Sequence, residues 1–247
     1  MKKRYGLIGK KLGHTFSPGY FSDKFAREKI AAEYHAHELT SIDMLGPLIQ
    51  DTPSLKGLNV TMPYKKAVIP LLDFVEDAAS QIGAVNTIHI QQDGTRHGFN
   101  TDIIGFRKAL LEAWGDRPIQ QAVVLGTGGS AQAVLYVLST ILGIKRPIVV
   151  SRKPQKNQIG YPDLAMLQSG DFDIVVNTTP LGMSPDIYTA PDFPYHIFSE
   201  EHLAFDLVYN PLETSFLQQA AAYGARTENG IAMLHAQAEA SWEIWQT

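Results

Sequence analysis

The chain has 247 residues, 45% of them hydrophobic and 19% charged, with 21 Lys plus Arg against 25 Asp plus Glu for a formal net charge of −4. That composition excludes an intrinsically disordered chain and argues against a nucleic-acid surface, and the absence of cysteine excludes disulfides and thiolate metal sites. No apolar run approaches the ~18 residues of a membrane span, and no long apolar stretch follows the basic start, so the expectation is a cytoplasmic protein with no membrane partner.

In chain order, Tyr5 to Ile8 reads as a strand, and Gly9 and Gly13 mark the turn after it. Pro18 to Lys29 carries apolar residues at helical spacing, Tyr34 to Leu39 reads as a strand, and Ile42 to Gln50 as a helix. Gly57 to Met62 alternates apolar and polar residues like a strand, which Pro63 stops. A short helix is expected over Asp77 to Ile82, a strand over Val85 to Ile90, a turn at Gln92 to Gly94 and a helix over Phe106 to Trp114. A second β/α series begins at Gln121. "AVVLG" reads as a buried strand, Ser130 to Ile141 as a helix, and "PIVVS", "FDIVVNTTP" and "LAFDLVY" as further strands, each with polar residues where a parallel sheet presents its C-terminal edge. "IAMLHAQAEASWEIW" is helical, with Met233, Leu234, Ala240 and Trp245 as core contacts. The pattern predicts an α/β fold of two domains, with the linker near Asp102 to Gly105 or in the polar stretch Gly115 to Gln120.

Gly126, Gly128 and Ala131 stand in G-x-G-x-x-A spacing directly after a strand and at the opening of a helix. The first glycine permits the tight turn, the second lets backbone approach a pyrophosphate, and the small Ala131 lets helix and strand pack closely. Helix N-terminal amides then face the phosphate charge. At the end of the next strand, where an acid would pair with a free ribose hydroxyl, the chain reads Ser151, Arg152, Lys153, with Lys156 beyond. Those cations match the 2′-phosphate of NADP.

A hydride-transfer enzyme acting on an alcohol needs a group that exchanges the hydroxyl proton. Lys65 in "NVTMPYK", Asn86 in "GAVNT" and Asp102 in "GFNTD" each follow an apolar strand. Each also has a plain reading. Lys65 and Lys66 read as a solvated pair, Asn86 as a turn or cap residue, Asp102 as a helix N-cap, and Thr15 and Ser17 as caps of the helix near Pro18. Spacing alone leaves these alternatives open.

"GLIGKKLGHTFSP", "GLNVTMPYK", "IGAVNT", "NTD", "GTGGSA", "VSRK", "NTTPLGM", "DLVYNPLETSFL" and "NGIAMLHAQA" occur in that order. On these motifs the chain resembles the shikimate dehydrogenases, NADP-dependent enzymes of aromatic amino-acid biosynthesis, over essentially its whole length. The resemblance implies Lys65 and Asp102 as the catalytic pair, with Lys65 exchanging the substrate hydroxyl proton. It implies Thr61, Asn86, Tyr209 and Gln237 on the shikimate hydroxyls, and Thr15 and Ser17 on the carboxylate. Gly126, Thr127, Gly128, Gly129, Ser130, Ser151, Arg152, Lys153, Leu207 and Gly230 would contact NADP. The implied fold is a substrate-binding domain of residues 1–103, completed by the final helix 231–247, and a Rossmann-type doubly wound NADP-binding domain of residues 104–230. With that pattern, Asn59 and Thr61 read as strand residues facing the substrate side, and Pro63 as the point where the chain turns the Lys65 amine inward.

Three positions depart from the family pattern: Thr15 stands where serine is common, Ile103 where glycine is usual, and the stretch between "VSRK" and "FDIVVN" is short. The expected reaction is reversible NADPH-dependent reduction of 3-dehydroshikimate to shikimate, with no metal required because the lysine ammonium supplies the electrophilic help. A small-molecule substrate is expected, and a monomer or homodimer. The alternatives are a quinate/shikimate dehydrogenase and a non-catalytic NADP-binding paralogue. Trp114, Trp242 and Trp245 read as core residues or as an interface.

Overall fold

The structure is a computed structural model that describes residues 2–13 and 15–247; His14, within the "GHTFSP" motif, lies outside the described residues. The chain divides into two compact units, one running up to Thr101 and resuming at Ala238–Thr247, the other Asp102–Gln237. The sequence reading placed these boundaries after 103 and 230.

The first unit contains β1 (Lys3–Gly9), α1 (Phe16–Arg27), β2 (Ala32–Glu38), α2 (Leu45–Gln50), β3 (Leu55–Val60), α3 (Tyr64–Ala67), β4 (Phe74–Val75), α4 (Asp77–Ile82), β5 (Thr87–Ile90) and β6 (Arg96–Phe99). Its sheet is six-stranded in the order β2-β1-β3-β5-β6-β4, with β1 parallel to β2 and β3, and β5 antiparallel to β3 and β6. Buried residues form two clusters. One gathers Ile8, Leu45, Leu58, Val60, Val68 and Ile88. The other gathers Tyr5, Phe21, Phe25 and Tyr34 with Ala238 and Trp245 from the end of the chain. That end is also tied by charge: Lys24, 6% exposed, pairs with Glu239 at 2.8 Å, and the Tyr20 hydroxyl donates to the same carboxylate.

The second unit contains α5 (Asp102–Trp114), β7 (Ala122–Leu125), α6 (Gly129–Tyr136, continued by a wider turn over Val137–Ile141), β8 (Ile148–Val150), β9 (Ile174–Asn177), β10 (Leu203–Asp206), α7 (Ser215–Ala222), β11 (Arg226–Glu228) and α8 (Gly230–Ile244), whose last residues lie in the first unit. The five strands are all parallel in the order β11-β10-β9-β7-β8. The strand order reverses beside β7, so the crevice at its C-terminal end is where a doubly wound sheet binds ligands. All residues of β7, β9 and β10 are buried, as a parallel sheet covered on both faces requires.

Several boundaries differ from the sequence reading. β3 ends at Val60, because the Thr61 carbonyl accepts from the Tyr64 amide at 2.9 Å and closes a turn into α3, which the apolar pattern did not show. α5 begins at Asp102, four residues earlier than Phe106, with the carboxylate in the first turn where the exposed amides favour an anion. The sequence predicts neither the edge strands β4 and β11, nor β6 between β5 and β4, nor the helix α7. Among the described residues, no helix is long and apolar enough to cross a membrane.

Candidate active site

In the first unit, backbone hydrogen bonds gather three of the proposed site residues. The Thr61 amide donates to Ile8, the Val60 amide to the Asn86 carbonyl, and the Val85 amide to the Lys65 carbonyl, at 2.9, 2.8 and 2.8 Å. The turn carrying Lys65 therefore lies against the segment carrying Asn86. The one-turn helix α3 is anchored by buried Tyr64, whose hydroxyl donates to the Leu39 carbonyl at 2.6 Å. Lys65 is half-buried on this turn and Lys66 is exposed.

Asn86 is 3% exposed and its orientation is fixed by its neighbours. Its Oδ1 accepts from the Thr101 amide at 2.8 Å, the Thr87 hydroxyl at 3.0 Å and the Thr101 hydroxyl at 3.2 Å. Three donors on one oxygen hold the amide with Oδ1 toward the interior. Asn59, which the sequence places on the substrate side of β3, continues the same network. It is 6% exposed, its Oδ1 accepts from the Tyr34 hydroxyl at 2.8 Å, and its Nδ2 donates to Ser241 at 2.9 Å and Thr87 at 3.2 Å. Ser17, also buried, hydrogen-bonds the Tyr34 hydroxyl, whose pKa burial pushes strongly up so that it stays neutral. A chain of neutral side chains thus runs from Ser17 through Tyr34, Asn59, Thr87 and Ser241 to Asn86. Such a fully bonded interior network holds its members in one geometry. Thr15 stands at the N-cap of α1 but makes no side-chain cap bond, so capping does not account for its hydroxyl.

The second unit carries the other candidates. After β7 the chain turns through Gly126, at φ 112°, a left-handed conformation open to glycine; a Cβ there would lie 2.6 Å from the Thr178 hydroxyl. Thr127 and Gly128 are exposed, and Gly129 and Ser130 open α6. Leu125 is in register with Val150, so the Gly126 turn and the Ser151 to Lys153 segment leave the same sheet edge side by side. Ser151 is buried and its hydroxyl accepts from the Lys153 amide at 3.2 Å, while Arg152 and Lys153 are exposed. An exposed glycine turn at a helix N-terminus beside two cations fits a dinucleotide that carries an extra phosphate.

Leu207 and Gly230 meet directly. The Gly230 amide donates to the Val208 carbonyl at 3.1 Å, and a Cβ on Gly230 would sit 2.2 Å from the Leu207 oxygen. Tyr209 follows half-buried, with its pKa raised by burial. Gln237, 9% exposed on α8, donates Nε2 to the Leu234 carbonyl at 3.1 Å. Asp102, 7% exposed, opens the second unit. The sequence reading missed Tyr34 and Ser241 in the first unit and the buried Asn177, Asp206 and Thr214 in the second. "NTTP" and "DLVYNP" pointed at two of these positions, since buried polar residues at the ends of apolar strands are the available signal.

Residues 7–88 match the family model of the shikimate dehydrogenase substrate binding domain. A shikimate dehydrogenase (NADP(+)) of Clostridium beijerinckii is 39% identical over 251 residues, covering 98% of this chain and 91% of the relative. The crystal structure of shikimate 5-dehydrogenase from Thermus thermophilus in complex with NADP(H) and shikimate is similar with a TM-score of 0.85 and 32% identity, over 98% of this chain and 93% of that one. Quinate dehydrogenase from Corynebacterium glutamicum in complex with NAD is similar with a TM-score of 0.87 and 29% identity, over 99% and 93% of the two chains.

Proposed function

The chain belongs to the shikimate dehydrogenase family, and we infer from that premise how its own residues carry the reaction of an NADP-dependent shikimate dehydrogenase. NADPH, when bound, supplies the hydride for the carbonyl carbon of 3-dehydroshikimate. The Lys65 ammonium donates the proton that the carbonyl oxygen takes up, and receives it back in the oxidative direction. Asp102 is the second member of the catalytic pair that the family motifs assign. Asn86 and Thr61, with Tyr209 and Gln237, bind hydroxyls, and the Thr15 and Ser17 hydroxyls donate to the substrate carboxylate. The observation that carries the roles of Lys65, Asn86 and Thr61 is the backbone pairing that sets the Lys65 turn beside the other two, and the remaining roles rest on the family motifs.

Gly126 to Ser130, Leu207 and Gly230 cradle the dinucleotide, and Ser151, Arg152 and Lys153 take the 2′-phosphate. The cation pair favours NADP over NAD, and with it shikimate over the quinate reading. Replacing Arg152 by alanine is expected to raise the KM for NADPH about 10- to 100-fold, the worth of a charge-assisted contact, with the KM for NADH nearly unchanged. Parallel steady-state assays with the two cofactors check this, and an equal loss with both would remove Arg152 from the phosphate site. The same reading puts the enzyme in the cytoplasm, as a monomer or homodimer.

The experiment that tests the whole assignment is reduction of NADP+ and NAD+ with shikimate or quinate as substrate. Shikimate with NADP+ is expected to exceed each other combination by at least roughly tenfold in kcat/KM. Turnover confined to quinate and NAD+ would establish the alternative enzyme, and cofactor binding without turnover would establish a non-catalytic paralogue.

A further inference from the structure

Asp206 closes β10 with its side chain wholly buried, and the mechanism above does not use it. Its Oδ1 accepts from the Val208 amide and from Asn177 Nδ2, both at 3.0 Å, and its Oδ2 accepts from the Thr214 hydroxyl at 2.6 Å. Asn177 and Thr214 are themselves fully buried. Asn177 in turn organises the loop that follows β9, its Oδ1 accepting from the Thr179 amide at 3.0 Å and the Thr179 hydroxyl at 2.6 Å. Its backbone carbonyl accepts from the Leu207 amide at 3.0 Å. Leu207 is therefore held from three directions: by Asn177 at its amide, by the Asp206–Val208 bond across it, and by Gly230 against its carbonyl.

All three donors to Asp206 are neutral, and among the described residues Tyr195, from the turn Tyr195–Ile197, senses its charge. Burial without a cationic partner raises the carboxyl to about 6. The folded protein thus holds this proton more tightly than the unfolded chain, whose carboxyl titrates at 3.8. The contribution to stability therefore falls as pH rises from about 4 to about 6, and above that range the ionised carboxylate is a net cost to the fold. An asparagine has nearly the same shape, and its Oδ1 would keep the Val208 and Asn177 bonds while its Nδ2 donated to the Thr214 oxygen and reversed that bond, so the shell does not require a charge. A buried charge that the fold does not need calls for a functional reason.

We propose that Asp206 is a positioning residue for cofactor binding: as a carboxylate it fixes the Leu207 carbonyl and the loop after Asn177 in the geometry that receives the dinucleotide. The inference rests on the reading of Leu207 and Gly230 as cofactor contacts. Its negative charge tightens the bonds from Val208, Asn177 and Thr214 beyond what a neutral acceptor gives, because charge-assisted bonds are shorter and stronger.

The test is Asp206→Asn, with NADPH affinity by fluorescence titration, shikimate kinetics and thermal unfolding at about pH 8, above the titration of the carboxyl. The expected result is a Kd for NADPH about tenfold higher, the worth of one well-aligned hydrogen bond. The KM for shikimate should change by less than the Kd for NADPH, because of the residues assigned to that substrate only Tyr209 lies on the segment that Asp206 holds. The unfolding midpoint should hold or rise. A merely structural residue would behave in the opposite way, so a variant with a lowered midpoint, or one that fails to fold, overturns the inference. Wild-type protein that binds NADPH alongside a variant that binds it equally well overturns the inference alone. Wild-type protein that binds no NADPH overturns the reading of Leu207 and Gly230 as well.

Discussion

Replacing Lys65 by alanine is expected to lower kcat by about two orders of magnitude or more, within the range a general acid supplies, while NADPH affinity is unchanged. The backbone bonds that hold the turn do not involve the amine. Lys65 sits on a single helical turn whose hold on the sheet comes from the Tyr64 hydroxyl on Leu39 and from the Val85 amide on the Lys65 backbone carbonyl. Alanine keeps both and is a good helix former, so the turn stays in place and only the amine is lost. The neighbouring Lys66 is exposed, and its alanine variant serves as the control that leaves turnover near wild type. Steady-state kinetics of both variants, with a cofactor titration on each, decide the point. Near-normal turnover in the Lys65 variant would end the proton-transfer role, and a matching loss in the Lys66 variant would point to general electrostatics.

What the sequence disclosed about this protein follows from which forces act locally. The strands β7, β9 and β10 were legible because a parallel sheet covered on both faces writes continuous apolar runs such as "AVVL" and "IVV". The glycine turn was legible because backbone conformation and close approach are demands on single residues. The strand β6, "RHGF", pairs with β5 but carries polar side chains, so it leaves no alternation to read. The helix α7 carries a clear start signal, Thr214 accepting from the Leu217 amide, yet the same threonine is also committed to Asp206, and that partnership is invisible in a linear reading. Asn59 shows the limit most directly. Its alternation in β3 gave a face, but its partner Ser241 lies 182 residues away in sequence, and no local pattern reveals a buried polar pair across that distance. The family motifs mark the site residues, whereas the interior network that orients Asn86 and Ser17 is built from pairings that only the folded chain brings together.

Trp245 carries the largest stability effect expected of a single side chain in the first unit. It is 3% exposed, stacks on Tyr5 at a centroid distance of 4.9 Å and lies tilted against Phe21 at 5.4 Å. Its indole nitrogen donates to the Ile88 carbonyl at 3.0 Å, which ties the end of the chain to the middle of the sheet. Truncation to alanine removes a buried aromatic and leaves a cavity, at a cost of about 3–5 kcal/mol. It also leaves the Ile88 carbonyl without this donor in an apolar setting, a further loss of about 1–3 kcal/mol where no water replaces it. A domain whose whole stability is about 5–15 kcal/mol would then be near its limit. Urea unfolding monitored by near-ultraviolet circular dichroism should show the midpoint of the first unit falling sharply. Trp245 and its aromatic neighbours all lie in that unit, whereas the glycine turn and the Arg152 segment belong to the other. NADPH affinity under native conditions should therefore survive the substitution even as the unfolding midpoint drops. Equal losses of stability and of cofactor affinity would show that the two units do not keep their stabilities apart, and an unmoved midpoint would mean that the aromatic cluster repacks around the cavity.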